Sequence, residues 1–524
     1  MKLFKTTSLL LASSLSLLGQ EAFDVDQSEF TNWHNESTSE IGFIGSNVER
    51  SYTELLKGKK SKKTVVVAIM DSGVDINHPE FKGKIWVNED EIPGNGIDDD
   101  KNGYIDDVHG WSFLGNPEGE NLDFENYEMA RIVGMGDDGS KVYKRAYEAL
   151  MEIREEDQAY ADNLSRIRTN FIAASELIKE ETEIEVVELD DLKKVKADTE
   201  DLSKAVNYLG GLLKQGATLE VIDQEIARID KKLNITFNPD YNGRQKVIGD
   251  NPFDLEDRDY GNNDVTGPDA SHGTAVAGVI AAVRDEHKVE GIAQNVQIMS
   301  IRSTPSGDER DKDVALGIRY AVDNGADIIN MSFGKNFSPQ KEWVDEAVRY
   351  AESKGVLIVH AAGNSSLNTD REENYPSGES LDGYAFKNWL EVGASGPNAN
   401  EHLAAFFSNY GRKSVDIFAP GVSIVSLDLD SAYSSHNGTS LAAPVVSGIA
   451  ALVWSYYPEL TAEDMAFVIR ESAYPMKKLK VIKPNEDGKE KKTRFKKLSI
   501  TGGLVDAYRA LELADEISKT KEGS

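Results

Sequence analysis

The 524-residue chain carries 58 basic and 90 acidic residues, a formal charge of -32, which repels phosphate backbones and anionic surfaces and argues against nucleic acid as a partner. It has no cysteine, which excludes disulfides, thiolate metal sites, a cysteine nucleophile and a lipidated amino-terminal cysteine. The length admits two or three domains, or one large α/β domain with insertions.

At the amino terminus Lys2 and Lys5 precede a Leu/Ser/Ala-rich segment, Thr7 to Leu18, which ends in Gly19-Gln20-Glu21. Charge order and length predict a secretory signal over residues 1–19, too short to span a bilayer comfortably; an uncleaved anchor or a buried first helix are the alternatives. The expected destination is secreted or cell envelope, and no integral membrane span is expected. Residues 20–63 hold Phe30, Trp33 and Tyr52, end in the basic cluster Lys57 to Lys63, and read as an arm over a catalytic body.

Thr64 to Met70 is a β-branched run of the kind expected for a parallel strand buried on both faces, and it stops at Asp71-Ser72-Gly73. Ligands bind at the carboxyl ends of strands in open α/β sheets, so Asp71 is a candidate for chemistry; a solvated turn Asp is the plain alternative. Residues 64–123 are read as the first part of the catalytic domain. Within them, Asp98 to Asp107 carries the D-x-D-x-N-G spacing of calcium loops. Asp98, Asp100, Asn102, the Tyr104 carbonyl and Asp106 are the expected ligands, with Asp107 adding charge. His109 stands where an EF-hand has its bidentate Glu, so the site would lack paired helices. An acidic, solvated turn is the alternative.

Residues 124–249 change character. Tyr143, Tyr147, Leu150 and Ile153, then Tyr160, Leu164, Ile167 and Phe171, and later Leu219, Ile222, Ile226, Ile229 and Leu233, recur at three and four, which predicts an inserted bundle of three or four helices, one ending at Gly210-Gly211. From residue 250 to 513 an α/β rhythm returns. Helices are predicted at His272 to Arg284, Asp313 to Asn324, Pro339 to Ser353 with Ser338 as N-cap, Ser440 to Tyr456, and Thr461 to Ser472 with the capping pair Thr461/Asp464. Strands are predicted at Val296 to Ile301, Asp327 to Ser332, Val356 to His360, Leu390 to Gly393 and Val415 to Phe418. Lys477 to Lys497 reads as a surface loop or short hairpin. Gly502 to Val505 leads into a closing helix and a charged tail, 514–524.

Two further motifs carry chemistry. Ser271-His272-Gly273-Thr274 sets a histidine at a helix start, and His436-Asn437-Gly438-Thr439-Ser440 opens an apolar helix whose first turn offers a serine the positive end of the dipole. Pro444 is expected in the first turn, where no backbone donor is committed. Each motif alone reads as a cap. Asp-Ser-Gly, His-Gly-Thr and Gly-Thr-Ser in that chain order resemble the catalytic blocks of the subtilisin-like serine proteases, over roughly Thr64 to Trp111 and Gly249 to Leu513.

That resemblance implies a three-layer α/β fold with a mostly parallel central sheet and helices on both faces, carrying the helical insertion. It implies Asp71 as the orienting carboxylate, His272 as general base and then acid, Ser440 as nucleophile, and Asn364, in Val359 to Asn364, as the oxyanion donor beside the nucleophile's N–H. It further implies that Ser332, Phe333 and Gly334 form the edge to which an extended substrate pairs. Leu441 stands where the family commonly has Met, a volume-conserving change. Residues 20–63 look too short for an inhibitory propeptide. The resulting expectation is a secreted, calcium-stabilised serine endopeptidase acting on proteins or peptides. The rivals are a catalytically silent binding protein of the same fold, acting through its insertion, and a metal-dependent hydrolase built on Asp98, Asp100 and Asp106.

Overall fold

The structure, a computed structural model, describes residues 31–37, 43–284, 289–485 and 491–522. The expected signal, residues 1–19, and Phe30 lie outside the described residues. Those described fall into two compact units, one comprising Met129–Tyr241 and the other the chain up to Glu128 and from Asn242 onward.

The larger unit is built on strand β1, Val65–Asp71. Alternate side chains of a strand point to opposite faces, and the sequence loads both faces with apolar residues. Val65, Val67 and Ile69 pack with the helices Ser271–Ala281 and Thr439–Tyr456. Ala68 and Met70 pack with the helices Asp311–Asp323 and Lys341–Lys354 on the other side. The result is three layers. Strands β2 (Gly110–Ser112), β3 (Val296–Arg302), β4 (Ile328–Met331), β5 (Leu357–Ala361), β6 (Trp389–Ser395) and β7 (Ile417–Pro420) join β1 in one parallel array. Hairpin strands β8 (Ile424–Leu427) and β9 (Tyr433–His436) lie apart from it, as do β11 (Lys480–Ile482) and β12 (Lys492–Arg494). With β10 (Tyr474–Pro475) and β13 (Gly503–Leu504), the sheet order is β10-β13-β7-β6-β5-β4-β1-β3-β2, and only β10 runs antiparallel to its neighbour.

The Thr439–Tyr456 helix is long and apolar enough to cross a bilayer, but 94% of it is buried in the body, so it is the core helix. Trp33 Nε1 donates to the Ser423 carbonyl at 3.1 Å and Tyr52 Oη to the Ile292 carbonyl at 3.0 Å, which ties the segment before β1 to the body. Ser338 does not cap a helix. Its hydroxyl donates to Asp311 Oδ1 at 2.9 Å, and the helix starts at Lys341 after Gln340, which makes no side-chain cap. Thr461 and Asp464 do form a reciprocal capping box.

In the smaller unit, Lys141–Thr182 is one helix of 42 residues, capped by Ser140 Oγ accepting from Tyr143 N at 2.9 Å. The two apolar stripes of the sequence lie along this one helix, whose buried face includes Leu150, Leu164, Phe171 and Ile178, while Tyr147 stays exposed; no glycine or proline interrupts it. The helices Glu200–Leu213 and Leu219–Lys231 pack on it. Gly210 and Gly211 were expected to end a helix, but Glu200–Leu213 continues through them. Each glycine costs roughly 1 kcal/mol in a helix interior. Leu209 and Leu213, buried on either side of the pair, offset that by about 1.5–3 kcal/mol each.

Candidate active site

Asp71 ends β1 and is 2% exposed. Its Oδ1 accepts from Ser72 N at 2.7 Å and lies 2.7 Å from His272 Nδ1. His272 sits in the first turn of Ser271–Ala281, and that turn abuts the end of β1. A Cβ on Gly273 would lie 2.0 Å from the Gly73 carbonyl oxygen and 3.2 Å from Asp71 Cβ, so only glycine allows this approach. The Asp71 contact fixes a hydrogen on Nδ1 and turns Nε2 outward as an acceptor. Burial disfavours the imidazolium, but the charge of Asp71, its hydrogen bond and the charge of Asp269 outweigh it, and the net effect raises the His272 pKa above its ordinary value. Asp71 Oδ2 is buried without a hydrogen-bond partner.

Ser440 is the second residue of its helix, after Gly438 as N-cap. Gly438 N donates to the Gly421 carbonyl at 2.9 Å and Thr439 N to Asn364 Oδ1 at 2.9 Å. Among the described residues no acceptor takes the Ser440 N–H, as expected for an orphan donor of a helix start. Thr439 Oγ1 donates to Asn364 Oδ1 at 2.9 Å while accepting from Gly363 N at 3.0 Å. With Oδ1 engaged twice, the Asn364 amide orientation is set and Nδ2 is turned toward the space over Gly438. A Cβ at Gly438 would lie 3.6 Å from Asn364 Nδ2 and 2.6 Å from Ser440 Oγ. The missing side chain leaves a gap flanked by a hydroxyl and an amide donor.

Pro444 is the sixth residue of this helix, one turn beyond its expected place. An ordinary residue there would donate its N–H to the Ser440 carbonyl, four residues back. Proline cannot, and Ser332 Oγ donates to that carbonyl instead, at 2.8 Å. Ser332 Oγ also accepts from Asn330 Nδ2 at 2.9 Å, and Asn330 Oδ1 accepts from Ser447 Oγ at 2.8 Å. The extension of β4 through Ser332, Phe333 and Gly334 is thus tied twice to the helix that carries Ser440. Asn374 lies across the slot between this extension and the one leading to Asn364. Its Oδ1 is 3.5 Å from a Cβ built on Gly334 and 3.4 Å from one built on Gly363, and its Nδ2 is buried without a partner.

The structure brings Asp71 to His272 and Asn364 to the start of the Ser440 helix. It also shows what sequence reading missed. Thr439 stood inside a recognised motif, but its partners are 75 and 76 residues away. Asn374 had no motif at all.

In the acidic loop, Asp98 oxygens accept from Asn102 N (3.1 Å) and Gly103 N (2.9 Å), and Asp106 oxygens from Asn95 N (3.1 Å) and Gly96 N (2.9 Å). These carboxylates hold the turns. Asn102 Oδ1 accepts from Tyr104 N at 2.8 Å, and the Tyr104 ring packs edge-on to Trp111 and Tyr320. Of the acidic residues among the five expected ligands, Asp100 converges with Glu91 and Asp107, whose carboxylate oxygens lie within 4.8 Å of one another, and Asn102 Nδ2 donates to Asp100 Oδ2 at 3.0 Å and to Asp107 Oδ2 at 3.1 Å. Burial is the main cause that pushes the Asp107 pKa up to about 6, with the charge of Asp100 adding to it. An all-oxygen donor set with an unfavourably buried carboxylate fits a hard divalent cation such as Ca²⁺.

Residues 62–497 match the description of the subtilase family, Peptidase_S8. A thermophilic serine proteinase of Bacillus sp. (strain AK1) is 38% identical over 234 residues, which are 44% of this chain and 52% of that protein. Subtilisin DY of Bacillus licheniformis is 35% identical over 269 residues, 51% of this chain and 85% of the relative. Among solved structures, one of proteases from Pseudoalteromonas arctica aligns over 94% of this chain and 99% of its own, at a TM-score of 0.48 and 17% identity. The match thus spans about half the length of the first of these relatives. With the family description covering residues 62–497 of the 524, the chain belongs to the subtilase family.

Proposed function

We propose that the protein is a serine endopeptidase that cleaves peptide bonds in proteins through Asp71, His272 and Ser440. One observation carries this reading: the Asp71–His272 contact of 2.7 Å is accompanied by a gap over Gly438 that Ser440 Oγ and Asn364 Nδ2 flank. His272 Nε2 takes the Ser440 Oγ proton as Oγ attacks the scissile carbonyl carbon. Asn364 Nδ2 and the free Ser440 N–H then donate to the oxygen that becomes negative. Asp71 stabilises the imidazolium without itself taking the proton. His272 passes the proton to the leaving amine, and water repeats the sequence on the acyl-enzyme. Replacing Ser440 with Ala should end casein hydrolysis while leaving the protein folded, since Ala fits the space. Casein cleavage by that variant at the wild-type rate would overturn the reading.

The substrate is read as pairing in extended form along Ser332, Phe333 and Gly334, so that the side chain preceding the scissile bond enters the slot crossed by Asn374. Calcium is read as bound by Glu91, Asp100 and Asp107, where it neutralises buried charge and stiffens the loop. The Met129–Tyr241 unit is read as an accessory module that guides or restricts protein substrates; its self-contained apolar core, including Phe171, Leu202, Leu209 and Ile222, supports this. The charge pattern of residues 1–19 supports export to the cell envelope or medium.

A further inference from the structure

His360 has no part in the chemistry described above, yet it is fully buried in β5, directly behind the strand extension that receives substrate. The parallel pairing of β4 with β5 ends at Met331 and His360. Beyond that point the backbone of Ser332 to Gly334 has no ladder partner on β5, and the Phe333 carbonyl would be a buried acceptor without a donor. His360 Nε2 lies 2.8 Å from it. On the opposite edge of the ring, Nδ1 lies 3.0 and 3.1 Å from the two Glu391 carboxylate oxygens. Glu391, on the neighbouring β6, also accepts from Trp389 Nε1 at 2.9 Å.

Both groups facing the ring, a carbonyl and a carboxylate, are acceptors. A neutral imidazole carries one N–H and, beside an ionised Glu391, would turn a lone pair toward one of the two acceptors at about 3 Å, so with the carboxylate ionised each ring nitrogen carries a hydrogen. We propose that His360 is a buried imidazolium that continues the β4–β5 ladder past its end and holds Ser332 to Gly334 in the extended register that pairs with substrate. This rests on the reading of that segment as the substrate edge. His360 acts through the strand and is a positioning residue.

The surrounding charges are consistent with it. Facing the ring are Glu391 from β6 and the charge of Glu309, which precedes the Asp311–Asp323 helix. Behind Glu391 stands Asp416, whose Oδ2 accepts from Glu391 N at 2.8 Å and whose Oδ1 lies 3.4 Å from Arg470 Nη1 on the helix Ala462–Glu471. The Thr439–Tyr456 helix presents no charged side chain. Burial by itself disfavours the imidazolium, but the charge of Glu391, its hydrogen bonds and the Phe333 carbonyl reverse this, and the His360 pKa is raised. A group with a raised folded pKa loses its contribution as pH rises through that value, so the strand should slacken on the alkaline side.

The test uses the full chain and two substrates, a tetrapeptide p-nitroanilide that occupies the edge and p-nitrophenyl acetate, which has no peptide to pair. His360→Ala should raise KM for the tetrapeptide about tenfold with kcat changed less than threefold, and ester hydrolysis should fall less than threefold. His360→Gln, whose amide can still donate to the Phe333 carbonyl, should recover most of the KM. Wild-type KM for the tetrapeptide should rise at alkaline pH. Glu391→Gln should abolish that rise, because a Gln amide can donate to Nδ1 of a neutral ring that keeps its Nε2–H on Phe333. If His360→Ala does not fold, the alkaline KM profiles of the wild type and Glu391→Gln decide. An unchanged KM in His360→Ala, equal losses on both substrates, or a wild-type KM that is flat at alkaline pH with the ester still turned over would overturn the proposal. Loss of the serine mechanism would instead appear as ester hydrolysis that survives Ser440→Ala.

Discussion

Thr439→Val is the substitution that separates orienting an oxyanion donor from being one. Valine keeps the shape of this residue, which is 1% exposed by virtue of its place in the helix start, and removes only the hydroxyl. Two hydrogen bonds go: the donation to Asn364 Oδ1 at 2.9 Å and the acceptance from Gly363 N at 3.0 Å. The Gly363 N–H is left without that partner, which should cost about 1–3 kcal/mol of stability. Asn364 Oδ1 keeps the bond from Thr439 N at 2.9 Å, so the amide is held once instead of twice. A neutral hydrogen bond is worth a net ~0.5–1.5 kcal/mol, which corresponds to a fall in kcat of roughly two- to thirteenfold. Removing the donor itself, in Asn364→Ala, should cost about 10²–10³ in kcat. Steady-state kinetics on a tetrapeptide p-nitroanilide for both single variants and the double variant closes the cycle. If Thr439 acts through Asn364, adding Thr439→Val to Asn364→Ala should lower kcat by less than twofold. Independent, multiplicative losses in the double variant would refute the reasoning.

Three further outcomes are expected. Chelation should lower the melting temperature, since a cation held by Glu91, Asp100 and Asp107 and present at a hundredfold excess over its Kd stabilises the fold by about 2.7 kcal/mol; an EDTA-treated protein that melts unchanged would remove the site. The acid limb of kcat/KM should lie above the ordinary histidine pKa, because His272 must be neutral to act as base and Asp71 favours its protonated form; Asp71→Asn should move that limb down in pH and cost about 10⁴ in kcat. Replacing residues 129–241 with a short Gly/Ser linker should spare hydrolysis of small esters and change the cleavage pattern on folded proteins, and identical kinetics on both would mark the unit as a buttress.

Much of the fold is legible because its signals are local. The unbroken β-branched run before Asp71 has no polar face, which announces a strand covered on both sides, and Thr461 with Asp464 announces a helix start within four residues. What escaped reading depends on partners far away in sequence. Pro444 marks the freed Ser440 carbonyl, but nothing in the chain order says that Ser332, 108 residues before Ser440, supplies the replacement donor. Gly210-Gly211 obeys local propensity in isolation and is overridden by the buried leucines beside it. The D-x-D-x-N-G spacing shows where Asp98 and Asp106 sit in the loop, but not that Glu91, outside the motif, accepts from the backbone of Asp99, Asp100 and Asp106 while converging with Asp100 and Asp107. His360 read as the last residue of an apolar strand, and its partner Glu391 is 31 residues on.

The most direct measurement of the central claim is labelling of the native protein with a fluorophosphonate, followed by peptide mapping. A single adduct on Ser440 is expected, formed at a rate that falls with His272→Ala and absent from Ser440→Ala and from heat-unfolded protein. A native, folded protein that takes no label, or takes it at another residue with Ser440 free, would contradict it.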